Sequence, residues 1–388
     1  MGEGQVEMKN KTIYIACPWN PNGGGMFKVA DYLIQCQHSV SLYSNEHAVL
    51  KPLDTRGDAS AVASLGMLLL ALGKITYGRI TGGLAGVHVN MAERLSLFRK
   101  SVVLTFSRFI GLPVVLHLHA AQLHHFYRTL PVVLQWAVRW TFSRATKVIV
   151  LGEAARAFVV QELRVPAERV CIVINGVPQP TVARRDTTAL GRKKRLLFLG
   201  NLSERKGVSD LIAALAESHA AKQQDFEAII AGKGDIANYQ AKAKSAGVDN
   251  VIRFVGWADQ AKAAMLMAEA DLLVLPSYDE GLPLVILEAL ANGTAVICTP
   301  VGEIPNELVD GQEALFVQPG DVLGLANAID RVFVNDALRA HLEKCGRQLF
   351  NKRFSLEMFA DSIAQVHRES FSYASRNVSN RSEVTVHD

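Results

Sequence analysis

No two aspartates stand one residue apart anywhere in this 388-residue chain, no two cysteines form a Cys-x-x-Cys, and no carboxylate occurs between Glu93 and Glu153. The first absence removes the close carboxylate pair that commonly holds a divalent cation, so no metal site is expected. The five cysteines (Cys17, Cys36, Cys171, Cys298, Cys345) are scattered. They make neither a disulfide framework nor a thiolate zinc site, and they fit a reducing cytoplasm. Long apolar runs are missing too. The longest uncharged one, Ala59 to Gly73, is too short to cross a bilayer and contains Ser60, Ser64 and Gly66. With no signal-peptide pattern at the N terminus, a cytoplasmic protein without membrane spans is expected.

The third absence exposes an uneven charge distribution. The net charge is only +4, yet residues 1–184 carry 19 Lys and Arg against 10 Asp and Glu, so the remainder is net negative. The carboxylate-free window holds Arg94, Arg99, Lys100, Arg108, Arg128, Arg139, Arg144 and Lys147, interleaved with aromatics such as Phe98, Phe109, Trp136 and Trp140. A basic, aromatic-rich face suits an anionic membrane surface. Amphipathic helices with aromatics in the core and Arg outside would show the same pattern. No nucleic-acid-binding motif accompanies the charge, so nucleic acid is not expected as a partner.

What is present, at 49% hydrophobic and 20% charged residues, is the composition of a globular protein with room for two or three domains. Residues 1–10 are polar and predict a disordered tail. KTIYIAC (11–17) predicts a buried strand, followed by a glycine-containing turn and a helix from about Met26 to Gln37. Strand, glycine loop and helix open a doubly wound α/β domain. Further strands are expected at 87–89, 114–118, 148–150 and 170–174. After a polar connector over 176–194 the alternation restarts with RLLFL (195–199), then 227–231, 251–254, 272–275 and 295–298. The expected organisation is an N-terminal domain over 11–184, a C-terminal domain over 185–349, a helical segment over 350–376 and a frayed tail over 377–388. Two Rossmann-like parallel-sheet domains would then face each other across a cleft.

The segment SYDEGLPLVILEALANG (277–293) places Glu280 on an entry loop and Glu288 about two turns inside a helix. Pro283 suits the first turn and Gly293 the position after the end. Eight residues at helical rise span roughly 12 Å, about the distance from a hexose across a diphosphate to a ribose. The N–H groups of the first turn, near Gly281 and Leu282, lie between the carboxylates and favour an anion. That geometry suits a nucleoside-diphosphate sugar, although a solvated helix face could carry the same pair. Gly23, Gly24 and Gly25 let backbone approach a phosphate. Arg205 and Lys206, just before a helix, can neutralise a departing diphosphate. His117 and His119 share one strand face. With His124 and His125 they match no common zinc spacing.

Several of these loops fall in one order: Gly23-Gly24-Gly25, His119 in VVLHLHA, Asn175-Gly176, GNLSERKG (200–207), Gly232-Lys233-Gly234, Phe254-Val255-Gly256, the Glu280/Glu288 segment and TPVGE (299–303). Together they resemble the retaining GT-B glycosyltransferases of family 4, as found in bacterial surface-polysaccharide assembly. The resemblance implies GT-B architecture and transfer of a hexose from a UDP- or GDP-linked sugar with retention; with no Asp-x-Asp and with Arg205 and Lys206 to replace the ion, chemistry without a metal or other cofactor is expected. It implies that Glu280 binds sugar hydroxyls, Glu288 the ribose, His119 the sugar near the reacting centre, and the amides near Gly24, Gly25, Gly281 and Leu282 the diphosphate. The acceptor it implies is a polyprenyl-diphosphate-linked glycan at the inner face of the plasma membrane. One departure stands out. The family often has a basic residue where this chain has Asn201, which would leave Arg205 and Lys206 to carry the charge alone. A nucleotide-sugar epimerase or glycan phosphorylase on the same fold, and a non-catalytic sugar-nucleotide-binding scaffold, are the rival expectations.

Overall fold

The computed structural model describes residues 11–20, 24–38, 43, 48–57, 61–120, 122–185, 193–223 and 226–371. The expected tails at 1–10 and 377–388, Gly23 and part of the connector lie outside these residues.

Two six-stranded parallel sheets organise the chain. The first is ordered β2-β1-β3-β4-β5-β6, from β1 (Lys11–Cys17), β2 (Ala48–Asp54), β3 (Leu84–Met91), β4 (Val114–Leu118), β5 (Lys147–Val150) and β6 (Val170–Ile172). Its helices are α1 (Gly25–Cys36), α2 (Ala61–Ile80), α3 (Leu95–Phe109), α4 (Leu123–Thr129), α5 (Val132–Arg144) and α6 (Glu153–Gln161). The second sheet is ordered β12-β11-β10-β7-β8-β9, from β7 (Lys194–Leu199), β8 (Phe226–Ala231), β9 (Ile252–Gly256), β10 (Leu272–Leu275), β11 (Ala295–Cys298) and β12 (Leu315–Phe316). Around it run α7 (Val208–Glu217), α8 (His219–Lys222), α9 (Ile236–Ser245), α10 (Gln260–Glu269), α11 (Leu284–Asn292), α12 (Ile304–Glu307), α13 (Val322–Val334) and α14 (Asp336–Leu349).

The central strands are continuous apolar runs because helices cover both of their faces; β3, β4, β10 and β11 are buried along their whole length. In α11 the residues Ile286, Leu287, Ala289, Leu290 and Ala291 are buried. A large aliphatic side chain hidden in this way contributes about 1.5–3 kcal/mol. Gly293 ends the helix at φ 65°, a left-handed cap that glycine adopts without a Cβ penalty. Pro283 is the N-cap rather than a first-turn residue, and Glu288 is the fifth residue of the helix. Glu288 therefore sits little more than one turn inside, not two.

In both sheets the strand order reverses beside the first strand, between β1 and β3 and between β7 and β10. Loops leaving the carboxyl ends of strands diverge at such a switch point and leave a crevice. The chain then returns to its beginning. After α14 a wide turn over Phe350–Phe354 leads into α15 (Leu356–Ser370), which packs on α1 and β4 of the first domain. Val177 bridges Ser355 where the two crossings meet. Two strands were not expected from sequence, β2 and β12, and both are sheet edges.

Candidate active site

The carboxyl ends of the two sheets enclose a cleft of about 680 Å³. Nine of the residues singled out from sequence line it: Gly24, Gly25, His119, Arg205, Lys206, Glu280, Gly281, Leu282 and Glu288. The first three come from the chain leaving β1 and β4, Arg205 and Lys206 from the loop after β7, Glu280, Gly281 and Leu282 from the loop after β10, and Glu288 from α11.

The Glu280 loop is held from behind. Gly302, at φ 61°, passes so close that a Cβ there would collide with the Glu280 carbonyl, and the Glu303 N–H donates to the Gly281 carbonyl at 3.0 Å. Ser277 Oγ donates to Glu280 Oε1 at 2.8 Å, and Lys206 Nζ donates to the same oxygen. Arg205 Nη1 donates to the Asp279 carbonyl and lies 3.9 Å from Glu280 Oε2. Glu280 is 9% exposed, so this carboxylate is fixed in direction and keeps a compensating charge beside it. Gly207, at φ 68°, turns the chain under Pro276 where a Cβ would strike the Pro276 carbonyl, and the Tyr278 N–H donates to the Arg205 carbonyl at 2.8 Å. Through these contacts the loops after β7 and β10 form one unit. Neighbouring placement of Lys206 and Glu280 is therefore a property of backbone packing, not of the ion pair alone.

His119 stands where β4 ends. Asn90 Oδ1 accepts from His119 Nε2 at 2.7 Å, which leaves Nδ1 as an acceptor. Burial pushes its pKa down to about 3, so the imidazole is neutral and serves hydrogen bonding, not charge. Beneath it, His117 stacks on His119 with ring centroids 3.9 Å apart. His117 also bonds to His88, His88 to His367 of α15, and His367 to Tyr43. Burial lowers His88 and His117 well below the ordinary histidine value and takes His367 to about 3. These are neutral core histidines that tie α15 into the first domain. His124 and His125 stack on each other in α4. Among the described residues no group of three or more His, Cys, Asp or Glu side chains gathers in a metal-binding arrangement.

Sequence reasoning missed three contributors. Lys28, in the first turn of α1, donates to Glu288 Oε1 at 2.9 Å across the cleft. Arg94 lines the cleft and has φ 60° and ψ −133°, a sparsely populated backbone for a residue with a Cβ, and such strain clusters at functional positions. Trp257 lines the far end with Lys233 Nζ 5.0 Å over its ring. A lone lysine in an amphipathic helix gives no local signal of a partner 260 residues away. The Arg94 strain is visible only in coordinates.

The basic window is more mixed than its sequence. Lys100 is fully buried and donates to Thr55 Oγ1 at 2.7 Å, and burial takes its pKa down to about 7. It belongs to the core and cannot be part of an interfacial face. Arg108 and Arg144 are exposed, as are Phe109 and Trp136. No helix among the described residues is long and apolar enough to cross a membrane.

Comparison with known proteins agrees with this architecture. Residues 86–176 match the Glycosyl transferase 4-like domain and residues 181–349 the Glycosyl transferases group 1 family. Among curated relatives, a glycogen synthase of Mycobacterium tuberculosis is 29% identical over 277 residues, covering 68% of this chain and 65% of that protein. An alpha-D-kanosaminyltransferase of Streptomyces kanamyceticus is 26% identical over 279 residues, covering 68% of this chain and 72% of that protein. Two solved structures share the fold along 92% of this chain and 98% of their own. They are Anabaena Alr3699/HepE in complex with UDP and glucose, at 20% identity and TM-score 0.71, and the sucrose-phosphate synthase of Thermosynechococcus elongatus, at 19% and 0.74. With both family matches in tandem over two sheets that share this fold, the chain has the GT-B architecture, residues 86–176 being glycosyl transferase 4-like and residues 181–349 of glycosyl transferases group 1.

Proposed function

We propose that the protein is a retaining hexosyltransferase that takes its sugar from a nucleoside-diphosphate donor. The carrying observation is the Lys206–Glu280 pair at one end of the entry to α11 and Glu288 at the other, facing the glycine turn of α1. Glu280 accepts from hexose hydroxyls and Glu288 from the ribose. Between them Gly281 and Leu282 line the cleft with Gly24 and Gly25, and their amides would meet the diphosphate. Negative charge on the leaving diphosphate grows as the glycosyl bond breaks, and Arg205 and Lys206 oppose it where it develops. Of the carboxylates that line the described cleft, Glu93, Asp259, Glu280 and Glu288, the resemblance assigns none as a sugar nucleophile. This favours attack from the face of the leaving group, with a donor phosphate oxygen taking the acceptor proton. Neutral His119, oriented by Asn90, accepts from a sugar hydroxyl near the reacting carbon. Absence of an Asp-x-Asp in the sequence and two cations at the diphosphate support catalysis without a divalent metal. A uridine base is favoured by Anabaena Alr3699/HepE, solved with UDP-glucose.

The acceptor reading rests on the first domain. α2, α3 and α5 are packed as neighbours and expose Tyr77, Ile80, Phe109, Val132 and Trp136, with Arg108 and Arg144 on the same helices. Large exposed apolar side chains beside arginines suit the headgroup region of an anionic bilayer, where a lipid-linked glycan acceptor is presented. Residues 86–176, which match the 4-like model, include α3 and α5 of this surface.

A thermal-unfolding screen of UDP-, GDP- and ADP-sugars tests the donor, because a ligand that binds only the folded protein raises its midpoint. One series should protect, and its sugar should then be transferred to a lipid-linked glycan with the anomeric configuration kept. Protection by none of them would remove the nucleotide sugar. Turnover without acceptor would favour an epimerase.

A further inference from the structure

We propose that Lys28, carried by the facing domain, is a ligand of the donor diphosphate and supplies the cation missing at Asn201. The proposal deepens the nucleotide-sugar reading and rests on it. Lys28 Nζ lies 2.9 Å from Glu288 Oε1, with the two side chains 27% and 17% exposed, so the pair is shielded enough to hold and open enough to exchange. Its place in the cleft is fixed by the contact one turn earlier. A Cβ added at Gly25 would stand 3.5 Å from Leu284 Cδ1, so the start of α1 rests on the start of α11. Leu284 is four residues from both Glu280 and Glu288. If those carboxylates take hexose and ribose, the diphosphate lies at that level. Four residues of helical rise are about 6 Å, within the swing of a four-carbon lysine stem.

The charges are arranged accordingly. Arg205 and Lys206 are both engaged at the hexose end, on Asp279 and Glu280, and Asn201 lines the same cleft without a charge. At the ribose end Lys28 stands beside Glu288. A cation in the first turn of a helix has the wrong sign for that helix's own dipole, and α1 has no acidic residue in this turn to offset it. Its counter-charge comes from across the cleft. Ribose hydroxyls donating to Glu288 share the carboxylate that now holds the ammonium, and the nearest phosphate oxygens then become its partner. The diphosphate would have cations at both ends, two from one domain and one from the other, and donor binding would draw the domains together.

Titration calorimetry of UDP, UMP and uridine, or of the guanosine series if wild type prefers it, tests the assignment on the full-length protein. Lys28→Met keeps the stem and removes the charge. It should bind the diphosphate about tenfold more weakly, the size of one charge-assisted contact, and the nucleoside as tightly as wild type or more so. Lys28→Arg should recover most of the loss. Glu288→Gln separates ligation from bridging: it should weaken all three ligands but keep the extra affinity of diphosphate over nucleoside. Equal losses for all three ligands in Lys28→Met, or no loss for the diphosphate, would reduce Lys28 to a structural bridge and overturn the proposal. So would disappearance of the diphosphate increment in Glu288→Gln. Wild type that binds neither series would instead sink the nucleotide-sugar reading, and this assignment with it.

Discussion

The two domains are built alike but finish their surfaces differently. In the second, exposed large hydrophobics such as Trp257, Met265, Val309 and Leu323 occur one or two to an element, which is ordinary for a protein surface. In the first they gather on three neighbouring helices, with Leu65, Leu69, Leu70, Tyr77 and Ile80 all on α2, an accumulation that marks a surface meant to be covered. The second domain carries the closely packed loops that hold Glu280, Arg205 and Lys206 in one orientation. The proposed donor chemistry needs that fixed geometry, whereas the proposed acceptor surface can vary so long as it presents apolar and cationic area. The division suggests experiments that move one domain's property and leave the other's alone.

The largest effect is expected in the second domain. Lys206→Ala should lower kcat by about 10²–10³ with a much smaller change in donor affinity, because the charge it opposes grows in the transition state. Steady-state kinetics beside nucleotide titration checks this, and near wild-type kcat would take Lys206 out of the mechanism. Next in size is a stability effect confined to the first domain. Burial depresses the Lys100 pKa to about 7, so between there and the unfolded-chain value the unfolded state holds a proton that the native state has lost. Stability should therefore rise with pH across that window, by at most ~1.4 kcal/mol per unit, and be flat below it. Lys100→Met should remove that slope in denaturant titrations from pH 6 to 10. An unchanged slope would mean that Lys100 is not the group responsible.

Glu288→Ala should cost about tenfold in nucleoside affinity, the loss of hydrogen bonds to one charged group, while Glu280→Ala should leave free nucleotide binding nearly intact. Equal losses in both would contradict the separation of hexose and ribose ends. The smallest effects belong to the surface of the first domain. Arg108→Ser and Arg144→Ser should each weaken binding to anionic vesicles by about 1 kcal/mol at low salt, less at high salt as screening shortens the attraction, without changing nucleotide affinity. If wild type ignores such vesicles in flotation assays, the cluster on α2, α3 and α5 covers something other than lipid.

Sequence was sufficient for most of the architecture because its signals are local. Short, largely apolar runs bounded by proline or polar residues marked β4, β10 and β11 at their observed limits, and most other strands within a few residues. β2 was hidden because an edge strand tolerates what a central one cannot: AVLKPLD contains Pro52 and an exposed Lys51. β12 has only two residues, too few for any periodicity. The site was legible where residues lie close in the chain, as with Glu280 to Glu288 and Arg205 with Lys206, since loop chemistry and helix spacing bring them into range.

What the chain alone determined, then, was the β/α alternation, the cleft between two similar domains and the chemical types placed at its rim, all consequences of periodicity and turn residues. Tertiary structure decided which faces meet. Lys100 and Arg99 are neighbours in a basic run, yet helix orientation sends the first into the core against Thr55. His117 and His119 point the same way along β4, but only α15, returning from the far end of the chain, joins the former through His88 to His367. Lys28 and Glu288 find each other because the starts of α1 and α11 rest together. Such pairings depend on how whole elements pack, a long-range property that no window of sequence contains.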